Sequence, residues 1–462
     1  MNDNLFAQID FGPLKGYLED DNITDISYSN GGQVWLKTLS KGIFRVDNPS
    51  VNNAFMEKLA FQCSNVMGKS FNMAHPFLDA EGAELRLNFV HDSIASNGIA
   101  CVIRKTPAKV RLEKDKLLEQ KYVDLDIHDF LIKCVQGHCN IIVCGETGSG
   151  KTEFVKYLAA HTAENEKLIT IEDTLELHLD RIFPYRDIVA MKTNNIASYS
   201  DVLVTCMRQN PKWILLSEVR SAEAVMAVRN SISSGHYILS TIHADKAASI
   251  PNRMYSLLET NQDIEQFLKS IYRYIQIGVY IRGYQNKVTK SFVREIAEVT
   301  EFYVTEDNDA KYNVIYQKSS TGKVTRNKPS KYLIAYLDAQ GVSLNPDDIK
   351  STEESGSAGA GEVSKRVESV SPISSNSIPT ATPVKPVMPA TAVNQSVGNG
   401  QNMTSQPQMS RPTVMPQPMQ GTTPTIKTPN MGVNTQNVGS INGTNSVSFG
   451  TIPNNNIQDN SR

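Results

Sequence analysis

The sequence predicts an α/β protein: a mostly parallel sheet with helices on its faces, preceded by a smaller α+β domain and followed by a long tail with no core of its own. Three observations carry this. From about residue 126 to 340, short apolar runs alternate with helical patterns, the order that joins parallel strands through crossover helices. Inside that region Ile141, Ile142 and Val143 lead into Gly145-x-x-x-x-Gly150-Lys151-Thr152, with Phe154, Val155 and Leu158 following at helical spacing. From about 351 the composition changes, with 11 charged residues in 112, one aromatic (Phe449) and 12 of the chain's 21 prolines.

Residues 1 to about 112 alternate strand-like runs with turn signals. Asp25–Tyr28 and Gln33–Leu36 flank the turn Asn30-Gly31-Gly32, and Leu85–Val90 and Ala100–Arg104 alternate apolar and polar side chains. One helical stretch, near Asn53 to Met67, interrupts them, so an α+β domain is expected. Residues 107 to 125 are rich in Lys, Glu and Asp and read as a linker.

The strand, glycine loop and helix around 141–158 are what a phosphate-binding loop requires. Glycine lets the backbone curl so that successive N–H groups converge on phosphate, and the helix N-terminus adds its positive end. The backbone of Gly145, Glu146, Thr147, Gly148, Ser149 and Gly150 would form the cradle. Lys151 would reach the β- and γ-phosphates, and the Thr152 hydroxyl would hold Mg²⁺. A chance glycine-rich turn is the plain alternative, and the correct flanking elements argue against it.

Further along, Leu168–Ile171 is a strand running into Glu172-Asp173, with Glu176 after them. Ser200 to Gln209 is a helix stopped by Asn210-Pro211, and Trp213–Leu216 is a buried strand ending in Ser217-Glu218-Val219-Arg220. Ser221 to Ser234 is a helix with Ser221 as N-cap and Gly235 beyond its end. Tyr237–Ile242 is the next strand, closed by His243. Beyond Asp263 an amphipathic segment leads to a last set of strands ending near Val304. Carboxylates at the ends of adjacent strands beside a phosphate loop suit hydrolysis of a nucleoside triphosphate. Helix capping is the competing role. Asp173 could serve both, whereas Ser221 already caps the helix after Glu218.

Composition limits the remaining classes. A net charge of −2 gives no global positive field that would mark nucleic acid as the main ligand. Six cysteines, at 63, 101, 134, 139, 144 and 206, include no C-x-x-C pair, which suggests reduced thiols in a cytosolic protein. No run reaches the 18 or so apolar residues of a membrane span, so any membrane connection is expected through partners. The tail cannot bury enough apolar area to offset its ordering entropy and is expected to be disordered. It is either a plain extension or a tether whose Pro-rich part, Pro379 to Pro389, docks a partner.

Four boxes in order, GETGSGKT (145–152), IEDTLEL (171–177), RQNPKWILLSEVR (208–220) and GHYILSTIHAD (235–245), resemble the secretion and pilus traffic ATPases. That family powers type II secretion, type IV pili, type IV secretion and conjugation. Upstream, NITDISYSNGGQVWLK (22–37) and NGIACVIRK (97–105) resemble its N-terminal domain and its arginine-bearing approach to the linker. With ITIEDTLEL as the form of the acidic box, the chain is most similar to the conjugation and tight-adherence-pilus branch. Ser217 stands where the family has glycine, and Lys212 where it has aspartate. The cysteine motif of some pilus-extension members is absent, so no zinc is expected.

The resemblance implies an N-terminal domain at 1–112, a linker at 113–125, a RecA-like P-loop ATPase core at 126–350 and a disordered tail at 351–462. It implies ATP and Mg²⁺ as ligands, with Thr152 and Asp173 on the metal side. Glu172 and Glu218 would polarise water, and His243 would sense the γ-phosphate. Arg86, Arg104, Arg208 and Arg220 are the candidates to neutralise charge on the transferring phosphoryl group, with surface ion pairing as the alternative for each. It further implies a homo-hexamer, peripheral to the cytoplasmic face of the inner membrane, working with secretion or pilus machinery proteins; nucleic acid would enter only as cargo. Two other classes stay open: a helicase-like nucleic-acid motor on the same core, and a non-hydrolysing platform locked by nucleotide.

Overall fold

In the computed structural model, residues 5–194, 196–258, 263–349 and 361–362 are described. A short helix, α1 (Lys15–Glu19), leads into β1 (Ile23–Ser29), β2 (Gln33–Thr38) and β3 (Gly42–Val46). The helix α2 (Asn53–Met67) and strands β4 (Phe77–Glu81), β5 (Leu85–Val90) and β6 (Ala100–Lys105) follow. The strands form an antiparallel sheet in the order β3-β2-β1-β6-β5-β4. The Asn52 side chain accepts from Phe55 N–H to cap α2, and Gly68, left-handed at φ 61°, ends it.

Strand alternation gives this sheet two different faces. Ile26, Leu36, Leu87, Phe89 and Ile103 are buried in one core with Met56, Leu59 and Ala60 of α2. On the opposite face, cross-strand register lines up Lys37, Asp25, Arg104, Arg86 and Glu81 in one row across five strands. That charged row meets the rest of the protein. Between the two regions lie α3 (Lys114–Glu119), inside the stretch expected to be linker, and α4 (Leu125–Gln136).

The second sheet starts with β7 (Ile141–Cys144), followed by α5 (Lys151–Ala159), β8 (Leu168–Glu172), α6 (Leu179–Ile182) and β9 (Ile188–Lys192). Then come α7 (Tyr199–Met207), β10 (Trp213–Val219), α8 (Ala222–Ser233), β11 (Tyr237–Ile242), α9 (Ile250–Ser256) and α10 (Ile264–Tyr274). An antiparallel extension follows: β12 (Ile277–Gln285), β13 (Phe292–Val304), β14 (Ala310–Lys318) and β15 (Val324–Arg326), closed by α11 (Lys331–Ala339). The order is β15-β14-β13-β12-β7-β11-β10-β8-β9, parallel from β12 through β9. This is an α/β core of the RecA-like kind, with the loop strand β7 between β11 and β12.

Parallel strands covered on both sides read as unbroken apolar runs, and β7 and β8 are buried at every position. Ile141 and Val143 face a core shared with Phe130 and Leu131 of α4 and with Val155 and Leu158 of α5. Ile142 and Cys144 face the other, with Leu203 of α7, Val225 and Val228 of α8 and Ile271 of α10.

The structure departs from the sequence reading in three places. The strands do not end near Val304, because β14 and β15 carry the sheet on to Arg326. Their buried Ile315 and Tyr316 are set among polar residues, so the apolar pattern that marks a strand is diluted. The α7 cap is Ser198, in a reciprocal capping box with Asp201, and the helix stops at Met207. In the tail, the described Gly361–Glu362 pair with Tyr312 and Lys311 of β14, so the disorder expected from 351 does not hold at those two residues. The rest of the expected tail, with its Pro-rich part, lies outside the described residues.

Candidate nucleotide site

The loop from Gly145 to Gly150 turns through three left-handed glycines, Gly145 (φ 150°), Gly148 (φ 82°) and Gly150 (φ 97°). Gly145 is the tightest: a Cβ there would lie 2.3 Å from the main-chain oxygen of Ile281 on β12. Only glycine permits that approach. The loop opens into α5, whose first residue, Lys151, is buried. Its Nζ donates to the carbonyls of Gly145 and Glu146, both at 3.1 Å. Burial pulls the Lys151 ammonium below the ordinary lysine value, and the Glu218 charge pulls the other way.

Glu218 and His243 stand at the ends of neighbouring parallel strands, β10 and β11. His243 Nε2 is 2.9 Å from Glu218 Oε1, and His243 Nδ1 is 3.4 Å from Lys151 Nζ and 3.1 Å from the Gly145 carbonyl. With its proton on Nε2 the imidazole donates to Glu218 and accepts from Lys151, while the shorter contact with the Gly145 carbonyl requires a proton on Nδ1. A carboxylate, an imidazole and the loop lysine are thus connected at the mouth of the phosphate loop.

Glu172 is placed differently. It is fully buried, with Oε1 accepting from Thr170 Oγ1 at 3.0 Å and Oε2 from the N–H groups of Glu176 (2.8 Å) and Leu177 (3.0 Å). Burial raises its carboxyl to about 7 against those hydrogen bonds. Its contacts shape the 173–177 loop and do not face the cavity described next. Asp173 on that loop is ion-paired with Arg220 and accepts from Thr174 N–H at 2.9 Å.

A cavity of about 660 Å³ opens between the loop and the N-terminal domain, lined by Thr147, Gly148, Gly150, Lys151 and Thr152 on one side and by Asp25, Lys37, Arg104 and Thr106 on the other. Arg104 donates to Asp25 at 3.0 Å and lies 3.9 Å from Glu176, which also lines the cavity. The structure therefore brings Arg104, Glu176, Lys151 and Thr152 together. Arg86 is the cross-strand neighbour of Arg104 but lies outside the lining, as does Arg208, exposed at the end of α7.

The donor set fits magnesium. That ion is usually held by one or two protein oxygens, with waters and substrate phosphates completing its shell. The Thr152 hydroxyl, lining the cavity, supplies one such oxygen, whereas the Asp173 carboxylate is engaged by Arg220 and that of Glu218 by His243. Among the described residues no group of three or more His, Cys, Asp or Glu is placed to hold a metal ion.

Sequence reasoning missed Lys37, Arg111 and Arg294. A Cβ on Gly148 would sit 2.6 Å from Lys37 Nζ, so the N-terminal domain brings a cation to the loop itself. Arg294, on β13, donates from Nε to the Gly148 carbonyl (3.3 Å) and from Nη1 to the Leu39 carbonyl (2.9 Å). Its guanidinium also lies over the Phe292 ring, 4.6 Å from the centroid. No local pattern marks these residues, because each lines the cavity beside a loop far from it in sequence.

Comparison with known proteins gives a consistent picture. Residues 81–294 match the family model described as type II/IV secretion system protein. An uncharacterised protein of Bacillus anthracis is 27% identical over 324 residues, covering 68% of this chain and 72% of its own. The type IV secretion system protein VirB11 of Bartonella henselae is 26% identical over 287 residues, covering 54% of this chain and 80% of its own. Among solved structures, the Legionella pneumophila ATPase DotB aligns at 16% identity and a TM-score of 0.48, over 65% of this chain and 79% of that one. Residues 81–294 thus carry a domain similar to that of the type II/IV secretion system protein family.

Proposed function

We propose that this chain is an ATPase, and that it works as a motor for a secretion or pilus-assembly system, most like those of type IV secretion and conjugation. The observation that supports this best is the connected set Lys151, His243 and Glu218 at the mouth of a glycine phosphate loop. Relatives named as type IV secretion system proteins point the same way.

In this reading the loop N–H groups and Lys151 hold the triphosphate, and Glu218 accepts a hydrogen bond from the attacking water and orients it in line. His243 fixes the Glu218 carboxylate through Nε2 and reports the γ-phosphate position to the loop through Lys151. Arg104 places positive charge over the phosphates from the N-terminal domain, held in aim by Asp25 and Glu176. Glu172 acts through the loop it anchors. The Thr152 hydroxyl would hold Mg²⁺, which supplies charge neutralisation between the phosphates when bound. The ring proposed is a homo-hexamer whose partners are membrane-embedded machinery. Among the described residues no helix is long and apolar enough to cross a membrane.

The test is turnover. The purified chain is expected to hydrolyse ATP slowly with Mg²⁺, and Lys151→Ala to abolish it. Glu218→Gln keeps the shape and removes the charge that orients water, so it should bind nucleotide yet lose at least 100-fold in kcat, the scale of general-base removal. Wild-type turnover in Glu218→Gln would overturn the assignment. Binding without any turnover in the wild type would favour the locked-platform alternative.

A further inference from the structure

We propose that Arg111, on the segment joining the two domains, contacts the phosphate chain of a nucleotide held on the 145–152 loop. This rests on the nucleotide reading of that loop and adds a residue that neither the loop motif nor the acidic boxes contain. Arg111 lines the same cavity as Gly148, Gly150 and Lys151. Its Nε and Nη2 are buried and bonded to no protein group. A guanidinium carries five donors and cannot shed its charge, so leaving three of them, one on Nε and two on Nη2, buried without a partner is costly.

Its surroundings sharpen the point. Arg111 acts on two other cations of the cavity, Lys105 and Arg294. Both stand below their ordinary values chiefly because of burial, and the Arg111 charge adds to the depression of each. Arg294 donates to two neutral carbonyls, and its Cδ would lie 3.5 Å from a Cβ on Gly150. Cations crowded on one wall of a phosphate loop, one of them with unspent donors, match a polyanion. The planar fork of arginine suits phosphate oxygens in particular. The position also matters: a contact from the joining segment would tie the bound nucleotide to the placement of the N-terminal domain.

The proposal is tested on the full chain with Arg111→Gln and Arg111→Lys, titrating fluorescent ADP and a non-hydrolysable ATP analogue and melting each protein without nucleotide. Arg111→Gln should weaken nucleotide binding about tenfold or more, the scale of a lost charged hydrogen bond, and Arg111→Lys should recover part of it. Melting without nucleotide should stay level or rise, since an unpartnered buried charge is removed. Unchanged nucleotide affinity in Arg111→Gln overturns the proposal. So does a lower melting temperature in both variants, which would make the guanidinium a structural brace. Stabilisation of the wild type by inorganic phosphate, lost in Arg111→Gln with nucleotide affinity intact, would also overturn it in favour of a free-phosphate site. A wild type that binds no nucleotide would instead sink the reading of the loop.

Discussion

The Glu172 carboxylate holds the 173–177 loop through its own hydrogen bonds. It ends a strand beside the phosphate loop, yet three donors from Thr170, Glu176 and Leu177 occupy its oxygens. Burial raises it from 4.5 to about 7. Between those values it is protonated in the folded chain and ionised in the unfolded one, so folding loses stability as pH climbs through that window. The total is on the order of 3 kcal/mol. Glu172→Gln has no proton to lose and offers both an acceptor and a donor, with the Thr170 hydroxyl free to turn. Melting both proteins from pH 4 to 8 should show the Gln variant gaining on the wild type up to about pH 7, with a constant difference above. Glu301, also raised to about 7, titrates in both and cancels. A difference that never changes with pH would mean Glu172 is ionised throughout and available as a base.

At the scale of elements, what the sequence shows depends on how local the cause is. The strands β7, β10 and β11 and the helices α2 and α8 were legible because each carries its own pattern within one short stretch of chain. The glycine loop was legible for the same reason. The row Lys37, Asp25, Arg104, Arg86 and Glu81 was not, since it exists only once register sets five strands side by side. The contacts between the two sheets were equally hidden. Phe292 N–H donates to the Ser40 carbonyl at 2.7 Å, and Leu175 N–H to Glu81 Oε1 at 3.3 Å. Glu81 also pairs with Lys192. These contacts are polar, the kind that exchange with water at little net cost, so they suit a joint that opens and closes on nucleotide. Amide exchange at Phe292 and Leu175 is therefore expected to slow when a non-hydrolysable ATP analogue is added, relative to buried strand amides such as Ile142. Equal rates with and without the analogue would rule out closure of this joint.

For the whole molecule, the arginines decide whether one chain suffices. Hydrolysis needs positive charge on the transferring phosphoryl group, and arginine supplied by a neighbouring subunit is a recurrent source. Within this chain Arg104 is aimed at the loop by Asp25 and Glu176, while Arg220 is neutralised by Asp173. Arg208 is exposed and lines no part of the cavity, so in the proposed ring it is assigned to the site of a neighbouring copy. The proposed ring then makes a prediction that a self-sufficient monomer does not. Turnover per subunit should rise with protein concentration and follow the fraction of six-fold mass seen by light scattering in the presence of nucleotide. Subunits carrying Arg208→Ala and subunits carrying Lys151→Ala, each inactive alone, should regain activity when mixed, because mixed rings contain sites with an intact loop facing an intact arginine. Monomer mass at high concentration, with turnover per subunit independent of concentration, would overturn the ring. Hexamers whose mixed variants stay inactive would keep the ring and remove Arg208 from its sites.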